Sequence, residues 1–273
     1  MEDCKTKYPL LLVHGMGFRD RKHLNYWGRI PKKLTERGAE VFYGHQDSAG
    51  SVEKNAANVA GSLMKAIEKT GADKVNIIAH SKGGLEARYL AANGYGGRIA
   101  SITTMNTPHN GSLTVDRLMK LPRGLIVFAA KCTDLWMKLL GDKSPDALSC
   151  FDSFTTAAAE RFSRDNPVLG DIYCQSYGFK MKKASGDILM MIPYLIVRHY
   201  EGDNDGLLAE RAVIWENYRV MYTSASNRGI SHPDEVDIRR MRFTRKPPKK
   251  EHEIADIAEF YISVVSELKE MGY

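Results

Sequence analysis

Short apolar runs alternate along the chain with stretches whose apolar residues recur at helical spacing. Runs of β-formers bounded by Gly, Asn or Pro predict strands at Tyr8–Val13, Glu40–Tyr43, Lys74–Ala79, Ile99–Met105 and Asp171–Phe179, and further ones at Leu195–Tyr200 and Arg219–Thr223. Between them, Ser51–Thr70 places Val52, Ala56, Val59, Ala60, Leu63 and Ile67 on one helical face, and "LEARYLAAN" after Gly83 also reads as helix. In the last helix Ile254, Ile257, Ala258, Tyr261, Val264, Val265 and Leu268 follow i, i+3, i+4 spacing. This alternation predicts an α/β fold, a mostly parallel central sheet flanked by helices. With no internal repeat and no low-complexity linker, residues 1–273 read as one domain.

One segment, about 111–167, interrupts the alternation. Within it "GLIVFAAKCTDLWMKLL" (124–140) is strongly apolar, with Lys131, Asp134 and Lys138 as a narrow polar stripe. It reads as a core helix or as a helical lid insertion over an apolar pocket. Its length and its place after the strand that follows Ser81 favour the lid.

Composition changes this picture little: 43% hydrophobic and 26% charged residues are ordinary for a globular protein. Much of the net charge of +6 sits in "RRMRFTRKPPKK" (239–250), which holds seven Lys or Arg. That run reads as a solvated connector, with contact to anionic lipid headgroups or nucleic acid as the alternative. No aromatic–basic alternation supports a nucleic-acid partner. The four cysteines, Cys4, Cys132, Cys150 and Cys174, lack metal spacing and read as free thiols, one disulfide being the alternative. The N-terminus shows no charged-then-apolar leader, so the expected location is cytoplasmic, or extracellular where a leader has been removed. No run approaches the ~20 apolar residues that span a bilayer.

Candidate chemistry begins at "KVNIIAHSKGG" (74–84), a strand, then A-H-S-K-G-G, then a helix. This is the G-x-S-x-G nucleophile turn with Ala79 in the first Gly position. The sharp turn exposes the hydroxyl of Ser81, and small flanking residues, Ala79 and Gly83, let strand and helix pass. The backbone N–H of Lys82 is placed to stabilise an oxyanion. A second such donor belongs in the loop after the strand of "LLLVHGMGF", at Met16. His14 and His80 read as buried, hydrogen-bonded supports. The serine needs an acid and then a histidine later in the chain. His232, in "NRGISHPDEV", sits in a loop after a strand and is the predicted base. "LIVRHYEGDNDGLL" offers Glu201, Asp203 and Asp205 as the acid, and position alone does not choose among them.

Five blocks, "YPLLLVHGMGF", "KVNIIAHSKGGLEARYLAAN", "TPHNGS", "NDGLL" and "HPDEV", span residues 8 to about 238. In them the chain resembles the bacterial true lipases, the family I calcium-dependent triacylglycerol lipases of the α/β-hydrolase superfamily. The resemblance implies an α/β-hydrolase fold and assigns the catalytic acid of N-D-G-L to Asp205. It puts the histidine of H-x-D-E-V at His232 and the oxyanion donors at Met16 and Lys82. It implies a serine carboxylester hydrolase, a triacylglycerol lipase or lipolytic esterase. The alternatives are a related acyl-transfer enzyme (phospholipase, thioesterase, polyester hydrolase or acyltransferase) and, less so, a non-catalytic binding module. The implied partners are an ester or lipid substrate and a transient lipid–water interface, with no cofactor for the chemistry.

A structural calcium bracing the histidine loop is also implied, with Asp234 and Asp187 as ligands and Ile238 offering a carbonyl. Asp234 as a helix N-terminal charge is the simpler alternative. The chain departs from the pattern in three places. Arg211 stands where a flanking disulfide would need a cysteine, no zinc-binding insertion is present, and Lys82 follows the nucleophile, which predicts a cation beside the mouth of the site.

Overall fold

In "LLLV" successive side chains point to opposite faces of a strand, and all four are fully buried, so this strand is covered on both sides. The computed structural model, which describes residues 2–17, 19–20, 25–168 and 170–273, shows what covers it. Phe18, at the end of the first motif, lies outside the described residues. The strands are β1 (Leu10–Val13), β2 (Val41–Tyr43), β3 (Val75–His80), β4 (Ile99–Met105), β5 (Tyr173–Phe179), β6 (Tyr218–Ser224) and β7 (Glu253–Ile254). They form one sheet in the order β2-β1-β3-β4-β5-β6-β7, every pairing parallel.

The helices are α1 (Ile30–Thr35), α2 (Val52–Thr70), α3 (Gly83–Leu90), α4 (Leu113–Leu118), α5 (Arg123–Leu139), α6 (Ala147–Ser153), α7 (Thr156–Asp165), α8 (Met191–Glu201), α9 (Glu210–Val213) and α10 (Ile257–Glu270). Leu10 and Leu12 pack with Trp27, Ile30 and Leu34 around α1 and with Tyr261, Val264 and Val265 of α10. Leu11 and Val13 face the other way, onto Ala56, Val59 and Leu63 of α2 and Ala87 and Leu90 of α3. The sheet is therefore a middle layer, and the loops at the C-terminal ends of its parallel strands collect on one edge, where α/β sheets place their sites.

Two expected elements differ. Leu195–Tyr200 is not a strand but part of α8, whose residues Ile192 and Leu195 are 66% and 53% exposed while Tyr194 and Val197 are buried. A short apolar run does not reveal its period. Here Asp187 Oδ1 accepts the N–H groups of Leu189 and Met190 in the turn that leads into the helix, and Gly202 ends it. Ile254 belongs to the two-residue strand β7, because Asp256 caps α10 through the N–H of Ala258 and fixes its start at Ile257. The four cysteines are free, with Cys132 exposed and the others buried. No helix among the described residues is long and apolar enough to cross a membrane.

Between β4 and β5 the chain inserts α4 to α7. The C-terminal end of α5 is fastened to the loop after β2 by reciprocal carboxylates. Asp142 accepts the N–H groups of Ser48 (2.9 Å) and Ala49 (2.8 Å), and Asp47 accepts those of Lys143 (3.1 Å) and Ser144 (2.9 Å).

At the opposite side of the same edge, Gly28 has φ +51°, and a β-carbon there would lie 2.7 Å from Asp237 Cβ and closer still to the Asp237 carbonyl. Gly71, at the end of α2, has φ +73° with open space around it. Gly71→Ala is expected to cost about 1 kcal/mol, the left-handed backbone alone, whereas Gly28→Ala adds a backbone collision and should cost roughly 2–4 kcal/mol. Urea unfolding of the two variants checks the order; equal losses would contradict the close approach at Gly28.

Candidate active site

Ser81 sits between the end of β3 and Lys82, the residue before α3, and its φ is +54°. A left-handed residue with a β-carbon is strained by roughly 1–2 kcal/mol, so its surroundings must hold it there. Ser81 N–H donates to Met105 O (2.9 Å), and Thr107 Oγ1 donates to Ser81 O (2.8 Å). Three glycines clear the space. A β-carbon on Gly15 would stand 2.7 Å from Ser81 Cβ; on Gly83 it would strike the carbonyls of Val13 and His14; on Gly84 it would strike Thr107 Oγ1. Sequence reasoning named Gly83; Gly15 and Gly84 acquire their roles only when β1 and β4 are brought alongside.

His232 opens a short 3-10 turn, His232–Val236, after β6. Its Nδ1–H donates to Asp205 Oδ2 at 2.5 Å, and its N–H donates to Asp205 O at 2.9 Å. Asp205 is fully buried; Oδ1 accepts the N–H groups of Leu207 and Leu208 at 2.7 Å each, and Oδ2 also accepts Asn106 Nδ2 at 2.5 Å. Burial by itself would raise this carboxyl, but the His232 ring and the donated N–H groups outweigh it and hold the acid well below the usual carboxylate range. The other two acids point elsewhere. Asp203 pairs with Lys180 and Arg198, and Glu201 accepts Ser112 Oγ and Thr114 N–H.

Glu235, the E of "HPDEV", carries no local sign of its role in the sequence. It lies three residues after His232, is fully buried, and shares Asn106 Nδ2 with Asp205, its Oε1 accepting at 2.8 Å. Burial and the adjacent Asp205 charge push Glu235 well above the carboxylate range, so it keeps its proton. Burial likewise keeps His80 neutral. The hydrogen-bond chain that follows runs from Glu235 Oε2–H to His80 Nε2 (2.8 Å), then from His80 Nδ1–H to Tyr26 Oη (2.6 Å). Tyr26 Oη accepts Gly15 N–H as well, at 3.1 Å. His14 and His80 are buried supports, as their positions suggested. His80, His232 and Glu235 also form the one cluster of metal-ligating side chains among the described residues, but their donor atoms are engaged in these bonds.

Around Met16 the loop is held on both sides, by Gly15 N–H to Tyr26 and by Gly17 N–H to Ser48 Oγ (2.6 Å). The N–H groups of Met16 and Lys82 themselves donate to no acceptor among the described residues. Met16, Ser81 and His232 line a cavity of about 610 Å³ whose other walls are apolar, including Leu118, Leu125, Phe154, Leu207 and Leu208. The expected cation beside this mouth is absent. The Lys82 side chain is fully buried on the other side of the turn, where Nζ pairs with Glu86 and donates to Gly50 O at 3.0 Å.

The implied calcium does not fit the residues present. Asp187 and Asp234 do come together, but around a guanidinium: Arg239 Nη2 donates to Asp187 Oδ2 at 2.8 Å, and Arg239 Nε lies 3.0 Å from Asp234 Oδ1. Asp187 Oδ2 also accepts Ser231 Oγ (2.7 Å), and Oδ1 is taken by the start of α8. Calcium asks for six to eight oxygen ligands, and Arg239 fills the place between the two carboxylates that were to supply them.

The raised Glu235 gives a pH signature. Above the ordinary glutamate value of 4.5 the unfolded chain releases this proton while the fold retains it, so wild-type stability falls as pH rises toward the raised folded value. Glu235→Gln removes that dependence. Its melting temperature relative to wild type is therefore expected to climb between about pH 4.5 and pH 8; parallel melting curves across that range would exclude a protonated Glu235.

Comparison with known proteins places the fold. The chain is 33% identical over 180 residues to a triacylglycerol lipase of Pseudarthrobacter phenanthrenivorans, covering 60% of this chain and 56% of the relative. It is 33% identical over 180 residues to a triacylglycerol lipase of Burkholderia plantarii, with 60% and 49% covered. The matches thus span about half the length of these curated relatives. A metagenomic carboxyl esterase of known structure superposes with a TM-score of 0.69 at 16% identity, over 97% of this chain and 76% of that one. A family model described as alpha/beta hydrolase fold matches residues 8–173, and the chain belongs to that family.

Proposed function

We propose that the protein is a serine carboxylester hydrolase acting on lipid esters, a triacylglycerol lipase or lipolytic esterase. The observation that carries this reading is the Asp205–His232 pair opening, with the strained Ser81, onto an apolar cavity of about 610 Å³. The triacylglycerol lipases it resembles in sequence support the choice of substrate class.

In this mechanism His232 Nε2 takes the Ser81 hydroxyl proton as Oγ attacks the ester carbonyl. Asp205 fixes the imidazole tautomer by holding Nδ1–H and stabilises the imidazolium that forms. The Met16 and Lys82 N–H groups receive the developing oxyanion. His232 then protonates the departing alcohol as the tetrahedral adduct collapses to an acyl-enzyme. Water, deprotonated by the same ring, attacks that acyl carbon and releases the acid, returning Ser81 to its hydroxyl form. No step calls for a metal.

The insertion α4–α7 acts as a lid. Leu118, Leu121, Leu125 and Ile126, at the end of α4 and the start of α5, wall the cavity, while Phe128, Leu135, Trp136 and Leu139 of α5 are exposed on the outer surface. Because Asp142 and Asp47 hold the far end of α5, the mobile portion is the α4–α5 junction. Exposed apolar faces on α5 and α8 would meet a lipid–water interface as it swings.

Ser81→Ala is expected to lower turnover of a p-nitrophenyl ester by roughly 10⁴-fold or more without a change in the circular-dichroism melt; surviving activity in the purified variant would refute the assignment. On an emulsified triglyceride, initial rate is expected to rise sharply once substrate exceeds its solubility. A smooth saturation curve through that point would assign a soluble esterase without a lid-gated step.

A further inference from the structure

We propose that the guanidinium of Arg239 is a positioning group for His232, a cation built into the chain that braces the histidine loop without calcium. This rests on the reading of His232 as the general base. Arg239 bridges two segments far apart in sequence, the loop before α8 and the turn that carries His232. Its acceptors are nearly out of solvent: Asp187 is 6% exposed and Asp234 is 4% exposed. Two buried carboxylates facing one another need a compensating positive charge. A guanidinium supplies one charge through donors spread along a planar edge, so it reaches two acids at once where a lysine offers a single point.

The connection to the histidine is short. Asp187 Oδ2 accepts both Arg239 Nη2 and Ser231 Oγ (2.7 Å), and Ser231 is the residue before His232. Ser231 O in turn accepts Asp234 N–H (2.8 Å) and Glu235 N–H (3.2 Å), closing the turn on itself. On the other flank, Gly186 O accepts Arg228 Nε at 2.8 Å and the second contact of Arg239 Nη2 at 3.5 Å. Removing the guanidinium leaves Asp187 and Asp234 repelling each other across the base of the loop. The ring is then free to drift from Asp205 and Ser81, while the apolar walls of the substrate cavity, to which Arg239, Asp187, Asp234 and Ser231 do not contribute, stay unchanged.

The test has two arms. In the wild-type protein, excess chelator and millimolar calcium are each expected to leave the melting temperature and the turnover of a short soluble ester unchanged. Arg239→Ala is expected to melt several degrees lower and to lose roughly ten- to hundredfold in kcat with little change in KM. Its labelling by a fluorophosphonate should slow in parallel, Arg239→Lys should retain part of the rate, and millimolar calcium, now offered two carboxylates without their guanidinium, should restore part of both rate and melting temperature. A wild-type protein that loses stability on chelation overturns the proposal, as does an Arg239→Ala variant with wild-type kcat and melting temperature. The chelation melt uses no substrate, so it decides this point even where Ser81→Ala shows the hydrolase reading to be wrong.

Discussion

The left-handed backbone of Ser81 is the constraint around which the rest of the site is arranged. A residue with a β-carbon stays at φ +54° only if everything near it is already in place. The parallel pairing of β3 with β1 and β4 supplies that surrounding, bringing Gly15 against Ser81 and Thr107 against Gly84. The same contact decides where the proposed oxyanion donors stand. With Gly15 touching Ser81 Cβ, the next amide along the loop, that of Met16, is one peptide away from the nucleophile, while the amide of Lys82 is its immediate neighbour. The strain of the turn and the placement of the two donors are thus consequences of one packing arrangement, which glycine alone permits at positions 15, 83 and 84.

A second constraint is electrostatic. Asp205 and Glu235 are both fully buried and both contact Asn106 Nδ2, so two negative charges there would be untenable. The surroundings separate them. Two backbone N–H groups and the His232 ring at 2.5 Å favour charge on Asp205, whereas Glu235 bonds to the neutral His80 and an amide, lies 3.8 Å from the His232 ring and meets the Asp205 charge. One acid is therefore an acceptor for the base and the other a donor into the scaffold. Through His80 and Tyr26 that donor reaches Gly15 N–H, so the acid side of the site and the oxyanion side belong to a single hydrogen-bonded chain.

Much of this was legible because parallel, doubly covered strands are written as continuous apolar runs. Ile99–Met105 coincides with β4 for that reason, and the serine turn announced itself by strand, small residue and helix in succession. What escaped was whatever depends on contacts between distant segments. Gly15 and Gly84 look like ordinary loop and helix glycines until another strand lies against them. Glu235 carries no local sign of its burial. The run around Leu195 is equally apolar as helix or strand, and it is helix in the fold, entered from the turn that Asp187 holds and ended at Gly202. Neighbouring acids in "EGDNDG" differ in fate because Asp203 faces solvent lysine and arginine while Asp205 faces inward.

Charge was the least legible property, since a side chain's sign says nothing about its direction. Lys82 follows the nucleophile in sequence, yet the turn that exposes Ser81 sends the next side chain to the opposite side, onto Glu86 and Gly50 O. Arg239 opens a basic run that reads as a solvated connector, yet it turns inward to Asp187 and Asp234. In both cases a cation is spent on holding a loop that carries a reacting group, one the nucleophile and the other its base. Neither contributes to the cavity, whose walls remain hydrocarbon. In the proposed function, a site that binds acyl chains must keep charge away from its mouth, while one that creates an oxyanion and an imidazolium must be rigid. Turning both cations away from the cavity, Lys82 fully buried and Arg239 half-buried, meets both demands with the same residues.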